Sequence, residues 1–121
     1  MYNKINQCLG QLIKLQRKIH NLPIKVISEK TKTPISHIYK YESNKMKIPS
    51  RFLYQFSQYI NIKVDFFYNS YEQKPDFDYK KDVDKDTLKF LQSFVKIKDT
   101  KQKQVFFERV QDLILNRECY L

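Results

Sequence analysis

The chain has 121 residues, 41% of them apolar, 15% aromatic and 30% charged, a length that buries roughly 65% of the extended surface and suits one domain, or a short module with an appendage. A large multidomain enzyme is excluded. The 23 basic and 13 acidic residues leave a net charge of +10, and with a mean hydropathy of -0.65 they predict an ordered, soluble protein rather than a disordered or membrane-embedded one.

In chain order, Ile5, Leu9, Leu12, Ile13 and Ile19 share one stripe at helical spacing, so residues 4 to 20 read as an amphipathic helix. Pro23 restarts the chain, and a short helix over 24 to 31 buries Val26 or Ile27. Pro34 permits a third helix, because its missing N–H falls in the first turn. From Ile35 to Glu42 the helical wheel puts Ile38 and Tyr41 on one side and Ser36, Tyr39 and Lys40 on the other, with His37 at the margin. One side packs and the other points out. Ser43 to Ser50 is polar and holds Pro49, hence a loop, after which Phe52, Leu53, Phe56, Tyr59 and Ile60 predict a fourth helix over 50 to 60 that Asn61 ends. Val64 to Tyr68 is expected to form a last short helix closing the core. Residues 70 to 85 alternate charges with aromatics around Pro75, show no period, and read as a linker. Beyond it, Leu88, Leu91 and Val95, an N-cap at Asp99, and Phe106, Phe107, Val110, Leu113 and Ile114 predict a helical hairpin within residues 86 to 121.

Charge follows this division. Residues 1 to 69 hold twelve basic and three acidic side chains, whereas residues 70 to 121 hold eleven and ten. The first part therefore carries nearly all of the field that attracts a polyanion. Cys8 and Cys119 stand near opposite ends with no CxxC or Cys/His cluster, which argues for two reduced cysteines and against a zinc site or a disulfide framework. His20 and His37 fall in different helices, and no HExxH, GxSxG or phosphate-cradling loop is present. We therefore expect no enzyme, no metal and no cofactor; His20 is expected to cap the first helix or complement its dipole. No apolar run approaches the roughly 20 residues that span a bilayer, and no signal-peptide pattern opens the chain. A cytoplasmic protein with no membrane contact is expected, and the wealth of Lys, Ile and Asn beside a single Gly predicts an AT-rich, bacterial genome.

Five short helices, the second and third joined by a tight turn, with an outward polar face on the third and a strong positive charge, suggest an all-α helix-turn-helix DNA-binding domain. The residues Leu9-Gly10, Ile13, Arg17, Leu22, Ile27, Ile38, Tyr41-Glu42, Pro49-Ser50, Leu53 and Val64-Asp65-Phe66-Phe67, in this order and spacing, resemble the phage-repressor-like helix-turn-helix family, also called the xenobiotic response element family. The resemblance covers residues 8 to 68 and is most specific over Ile38 to Glu42, the lysine-rich loop after it, and Ile48-Pro49-Ser50. It implies a five-helix lambda-repressor-like domain over residues 1 to 69. The trailing hairpin also looks like a subgroup of such regulators with a short helical tail. Departures from the family pattern are Pro23 and Ile24 where Ser or Thr and then Gln are usual, Ser28 in place of Ala, and Lys32 and Asn44 in place of Gly. Asn44 tolerates positive φ and can still cap the third helix, whereas Lys32 bears a backbone cost if the turn needs that conformation.

The resemblance implies that residues 35 to 42 are the recognition helix and that Ser36, His37 and Lys40 occupy base-reading positions. Lys40 can donate to guanine, Ser36 and neutral His37 can donate or accept, and Ile35 can touch a thymine methyl. Tyr39 is open between phosphate contact and packing. Lys45, Lys47 and Arg51, around Pro49, are placed to hold phosphates, and Lys25 can compensate for the phosphate-binding Gln that the second helix lacks. Arg17 and Glu42 fall where the family has an inner ion pair. The expected function is sequence-specific binding of double-stranded DNA by a dimeric repressor on a pseudo-palindromic operator, with Leu88, Leu91, Val95, Phe106, Val110, Leu113 and Ile114 forming the homodimer contact. An alternative is an antitoxin or phage-type regulator whose hairpin binds another protein. A non-specific nucleic-acid coat is a third.

Overall fold

The computed structural model describes residues 4–93 and, beyond them, residues 101, 102, 105 and 109. Seven helices occupy the continuous part: α1 (Lys4–Ile19), α2 (Ile24–Thr31), α3 (Ile35–Glu42), α4 (Ser50–Ile60), α5 (Asp65–Gln73), α6 (Tyr79–Asp82) and α7 (Lys85–Gln92). Residues 101, 102, 105 and 109 are helical, and no strand occurs among the described residues. The fold is all-α.

Prolines and left-handed residues punctuate the first four helices. Pro23, Pro34 and Pro49 each stand immediately before a helix with φ near -60°, the value their rings impose. Each prolyl carbonyl accepts a first-turn N–H, as from His37 and Ile38 to Pro34 at 3.0 and 3.3 Å. Asn21, Lys32, Asn44 and Asn61, which follow α1 to α4, all have φ between 52° and 61°. Asn enters this region more readily than other side chains with a Cβ. Lys32 has no such advantage, and the turn does need positive φ there.

The α1 helix is the centre of the molecule. It packs against α3, α5, α6 and α7, while α2 packs against α3 and α4. Its buried set runs beyond the expected stripe to include Asn6, Cys8, Gly10, Leu15 and Gln16, so helices cover it on two sides. On one side Gly10 lets α3 approach closely, since a Cβ there would collide with the Tyr41 carbonyl. Rings then link α3 to α5 through α4: Tyr41 to Phe52 at 4.9 Å, Phe52 to Phe56 at 6.0 Å, and Phe56 to Phe67 at 6.3 Å between centroids. Such pairs add to the stabilisation that burial of their area already supplies.

The polar linker expected over residues 70 to 85 does not hold. Helix α5 continues to Gln73, α6 follows, and Phe77 and Val83 are buried in the same core as Leu12 and Phe67. Contacts advance along α1 with the chain. Cys8 Sγ donates to the Lys74 carbonyl at 3.6 Å, the Tyr79 N–H donates to Gln11 Oε1 at 2.9 Å, Lys14 Nζ sits 5.4 Å from the Tyr79 ring centroid, and Gln92 Nε2 donates to the Lys18 carbonyl at 2.9 Å. Residues 74 to 92 thus form a strap lying parallel to α1. No helical or strand period marks its first part, residues 74 to 84, which mixes turns, a one-turn helix and extended residues, and of the whole strap only the Phe77, Val83 and Leu91 side chains are buried.

Helix α7 is the first arm expected of the hairpin, with Asp84 Oδ1 accepting the Thr87 N–H at 2.7 Å as its cap. Leu91, assigned from sequence to a homodimer contact, is buried within the single chain, and Leu88 packs partly against the same core. That part of the assignment is corrected: α1 presents an apolar second side that α7 covers. Val95, Phe106, Val110, Leu113 and Ile114, and the cap expected at Asp99, lie outside the described residues.

Candidate nucleic-acid interface

Helix α3 is held by its inner side and its two ends. Ile38, Tyr41 and Glu42 are buried, whereas Ile35, Ser36, Tyr39 and Lys40 are exposed and His37 is half-buried. Tyr39, open between two roles in the sequence, is 58% exposed, so it lies on the outward side. At the amino-terminal end the turn from α2 is fastened by hydroxyl and backbone hydrogen bonds. Ser28 Oγ donates to the Thr33 carbonyl, the Thr33 N–H donates to the Ser28 carbonyl at 3.1 Å, and Thr31 Oγ1 donates to the Ile27 carbonyl at 2.7 Å. The Ser28 hydroxyl thus gives the Lys32 turn a tie that an Ala lacks.

At the carboxyl-terminal end Arg17 binds Glu42 in a fork, Nε to Oε2 at 2.8 Å and Nη2 to Oε1 at 3.0 Å, with the two side chains 12% and 7% exposed. The ion pair expected from sequence is present. Such a pair is strong in direction as well as energy, because two parallel hydrogen bonds fix the plane of both groups. Gln11 Nε2 also donates to the Glu42 carbonyl at 3.0 Å, occupying one of the carbonyls a helix end leaves open. Both contacts come from α1, so the axis of α3 is set by the central helix. Tyr41 below it has its hydroxyl pKa raised by burial, a shift that the nearby Arg51 charge partly opposes.

The loop after α3 carries Lys45 and Lys47, and Arg51 opens α4; all three are exposed. Arg51 Nη1 donates to Gln55 Oε1 at 3.3 Å on its own helix. Lys25, in the first turn of α2, is also exposed. Sequence reasoning missed the residue that shapes this loop. Asn6, 7% exposed, accepts the Ile48 N–H on Oδ1 at 2.8 Å and donates through Nδ2 to Asn44 Oδ1 at 2.9 Å and to the Met46 carbonyl at 3.3 Å. A polar side chain three residues before Leu9, at the border of the apolar stripe, was its only signal. Asn44, with φ of 61°, ends α3 as expected and joins this clamp.

His20 Nδ1 donates to the Gln16 carbonyl at 2.8 Å at the end of α1, the capping expected of it. Among the described residues no group of His, Cys, Asp or Glu could hold a metal ion, and no helix is long and apolar enough to cross a membrane.

An outward polar helix flanked by lysines, packed on α1 and α2, suits a surface that grips a polyanion. A model of the helix-turn-helix domain family matches residues 10–72, just over half of the chain. No significant match is found among curated proteins or among solved structures. Domains of this family are typically not enzymatic. The chain belongs to the helix-turn-helix domain family and is a DNA-binding regulator.

Proposed function

We propose that the chain is a sequence-specific regulator of the phage-repressor-like kind that acts as a dimeric repressor on a pseudo-palindromic operator, with α3 laid in the major groove. The observation that carries this reading is the outward row Ile35, Ser36, Tyr39 and Lys40, with His37 at its edge, between exposed Lys25 on one flank and Lys45, Lys47 and Arg51 on the other. Ser36, His37 and Lys40 read base edges, Ile35 meets a thymine methyl, and the flanking cations and Tyr39 hold phosphates. Dimerisation follows from the two-fold symmetry of such operators, whose half-sites lie about 34 Å apart. With Leu91 used inside the chain, the self-contact falls to the residues beyond α7. The domain boundary moves accordingly: residues 4–92 act as one unit and the remaining tail as the dimer element. Occupation of the operator blocks the promoter.

The test is selection of binding sites from a random duplex pool, followed by titration of the selected site against salt. If about six phosphates are neutralised, log affinity falls with log salt at a slope of about -5. A slope near zero, or selection that enriches no sequence, overturns the reading.

A further inference from the structure

The side chain of Gln11 closes the ends of two helices at once. Its Nε2 donates to the Glu42 carbonyl at 3.0 Å, at the carboxyl end of α3, and its Oε1 accepts the Tyr79 N–H at 2.9 Å, in the first turn of α6. A helix leaves both kinds of group open, carbonyls at its last turn and N–H groups at its first. Nearer groups fill the neighbouring positions: the Lys40 and Tyr41 carbonyls accept the Lys45 and Asn44 N–H, and the Lys80 N–H donates to Asp78 Oδ1. Glu42 and Tyr79 are instead joined through α1, by a residue 31 and 68 positions away in the chain. A primary amide suits this place because it donates and accepts from adjacent atoms, whereas a carboxylate only accepts and an apolar side chain does neither.

Gln11 opens a row along one edge of α1 that continues with Lys14 and Arg17. Lys14 Nζ stands 5.4 Å from the centroid of the Tyr79 ring, and Arg17 forks Glu42. Burial raises the pKa of the Tyr79 hydroxyl and the Arg17 charge opposes that shift, so Tyr79 lies in the field of the same guanidinium that holds α3. We propose that Gln11 is a positioning residue for DNA reading, through which docking of the strap on α1 sets the tilt of α3. This rests on the reading of α3 as the helix that meets base edges. Helix α3 spans about 12 Å, so a tilt of about 5° shifts one end by about 1 Å against the other. Groups that must be held to about 0.5 Å lose discrimination at such a shift. Phosphate contacts made by lysines on flexible stems tolerate it. The strap therefore acts on sequence preference more than on the general hold on DNA.

The experiment compares Tyr79→Pro with Tyr79→Ala in the full chain. Both lose the ring, but only the first loses the N–H that Gln11 accepts. Proline suits the position, since Tyr79 opens α6 and Asp78 before it has φ of -131° and ψ of 117°, close to what a residue before proline adopts. Gln11→Met places a good helix former on a half-buried position and removes both hydrogen bonds, so it serves if Tyr79→Pro does not fold. Amide spectra without DNA, and affinities for the selected and a random duplex, are measured well below the thermal midpoint. Tyr79→Pro is expected to shift the amide signals of residues 35–42 relative to Tyr79→Ala, and to lower the ratio of selected to random affinity by about three- to tenfold. Gln11→Met should do the same relative to the unaltered chain. A role in stability alone would lower the midpoint and leave the ratio unchanged, because a smaller folded fraction weakens both duplexes alike. An unchanged ratio, or unmoved α3 signals in a folded variant, overturns the proposal. The spectra need no DNA, so a chain that enriches no operator counts against the reading of α3 alone, while the coupling of strap to α3 is still decided.

Discussion

Lys40 and Lys47 carry the same charge but stand in different places, one on the outward side of α3 and one in the loop that Asn6 clamps. A lysine reaching a guanine edge discriminates among sequences, whereas a lysine at a phosphate attracts every sequence alike. Lys40→Ala should therefore cost about 1–3 kcal/mol on the selected operator and relax preference at one base pair, while Lys45→Ala or Lys47→Ala should weaken specific and random duplexes by similar factors. Equal loss on both duplexes for Lys40→Ala would remove its base-reading role. Lys32 offers a separate test of backbone physics. It holds φ of 52° and ψ of 44°, a conformation that costs an L-residue with a Cβ about 1 kcal/mol relative to glycine. Lys32→Gly should raise unfolding stability by about 1 kcal/mol in denaturant titration; a decrease would mean that the Lys32 side chain contributes more than its backbone costs.

At the scale of elements, the lysine-rich loop owes its shape to a neighbour 38 to 42 residues away in the chain. Without Asn6 the Ile48 N–H is left buried with no acceptor, and removing a buried hydrogen bond of this kind costs about 1–3 kcal/mol. Asn6→Ala is expected to lower stability by that amount and to speed amide exchange at Ile48 while leaving exchange within α4 near its former rate. Uniform acceleration through α4 would instead show that Asn6 supports the whole core. The distinction bears on the proposed interface, because a loosened loop would spread Lys45 and Lys47 over many positions and dilute the phosphate contact proposed for them.

For the whole molecule, the strap over α1 decides what counts as the folding unit. Phe77, Val83 and Leu91 are buried, and each such side chain contributes about 1.5–3 kcal/mol, a sum comparable with the whole stability of a small domain. A chain ended after Gln73 should be strongly destabilised, read as a large fall in thermal midpoint; an unchanged midpoint would show that the strap is dispensable. Cys8 reports the same docking from within. Burial pushes its thiol up to about 12, with Asp76 pushing the same way and a backbone hydrogen bond from Phe77 opposing them. In the folded chain the thiol keeps its proton above the unfolded value of 9.0, so this contribution to stability is complete below about pH 9 and is lost as pH rises toward 12. With Cys119→Ser removing the other thiol, Cys8 should be inert to a disulfide reagent at about pH 8 until the protein unfolds. Rapid labelling of the folded chain would mean that the strap opens.

Much was determined by sequence alone, wherever the cause is local. Apolar spacing located α1 to α4, prolines at 23, 34 and 49 set the starts of α2, α3 and α4, and Asn44 and Asn61 set two of the ends, because a few neighbouring dihedrals decide these features. The outward side of α3 was legible for the same reason: a helix of eight residues with two buried apolar positions has only one way to face its core. The Arg17–Glu42 pair was legible through resemblance to a family, with both residues at the edge of their apolar stripes. The tertiary structure alone decided the strap, the Asn6 clamp and the place of Leu91. Cys8 and Leu15 widened the apolar stripe of α1, but a wide stripe says only that something covers it. What covers it is a segment more than sixty residues away, joined by hydrogen bonds such as Cys8 to Lys74 and Gln11 to Tyr79. Contacts of that kind leave no period behind, since their strength comes from the sum of unlike side chains brought together by the closed chain.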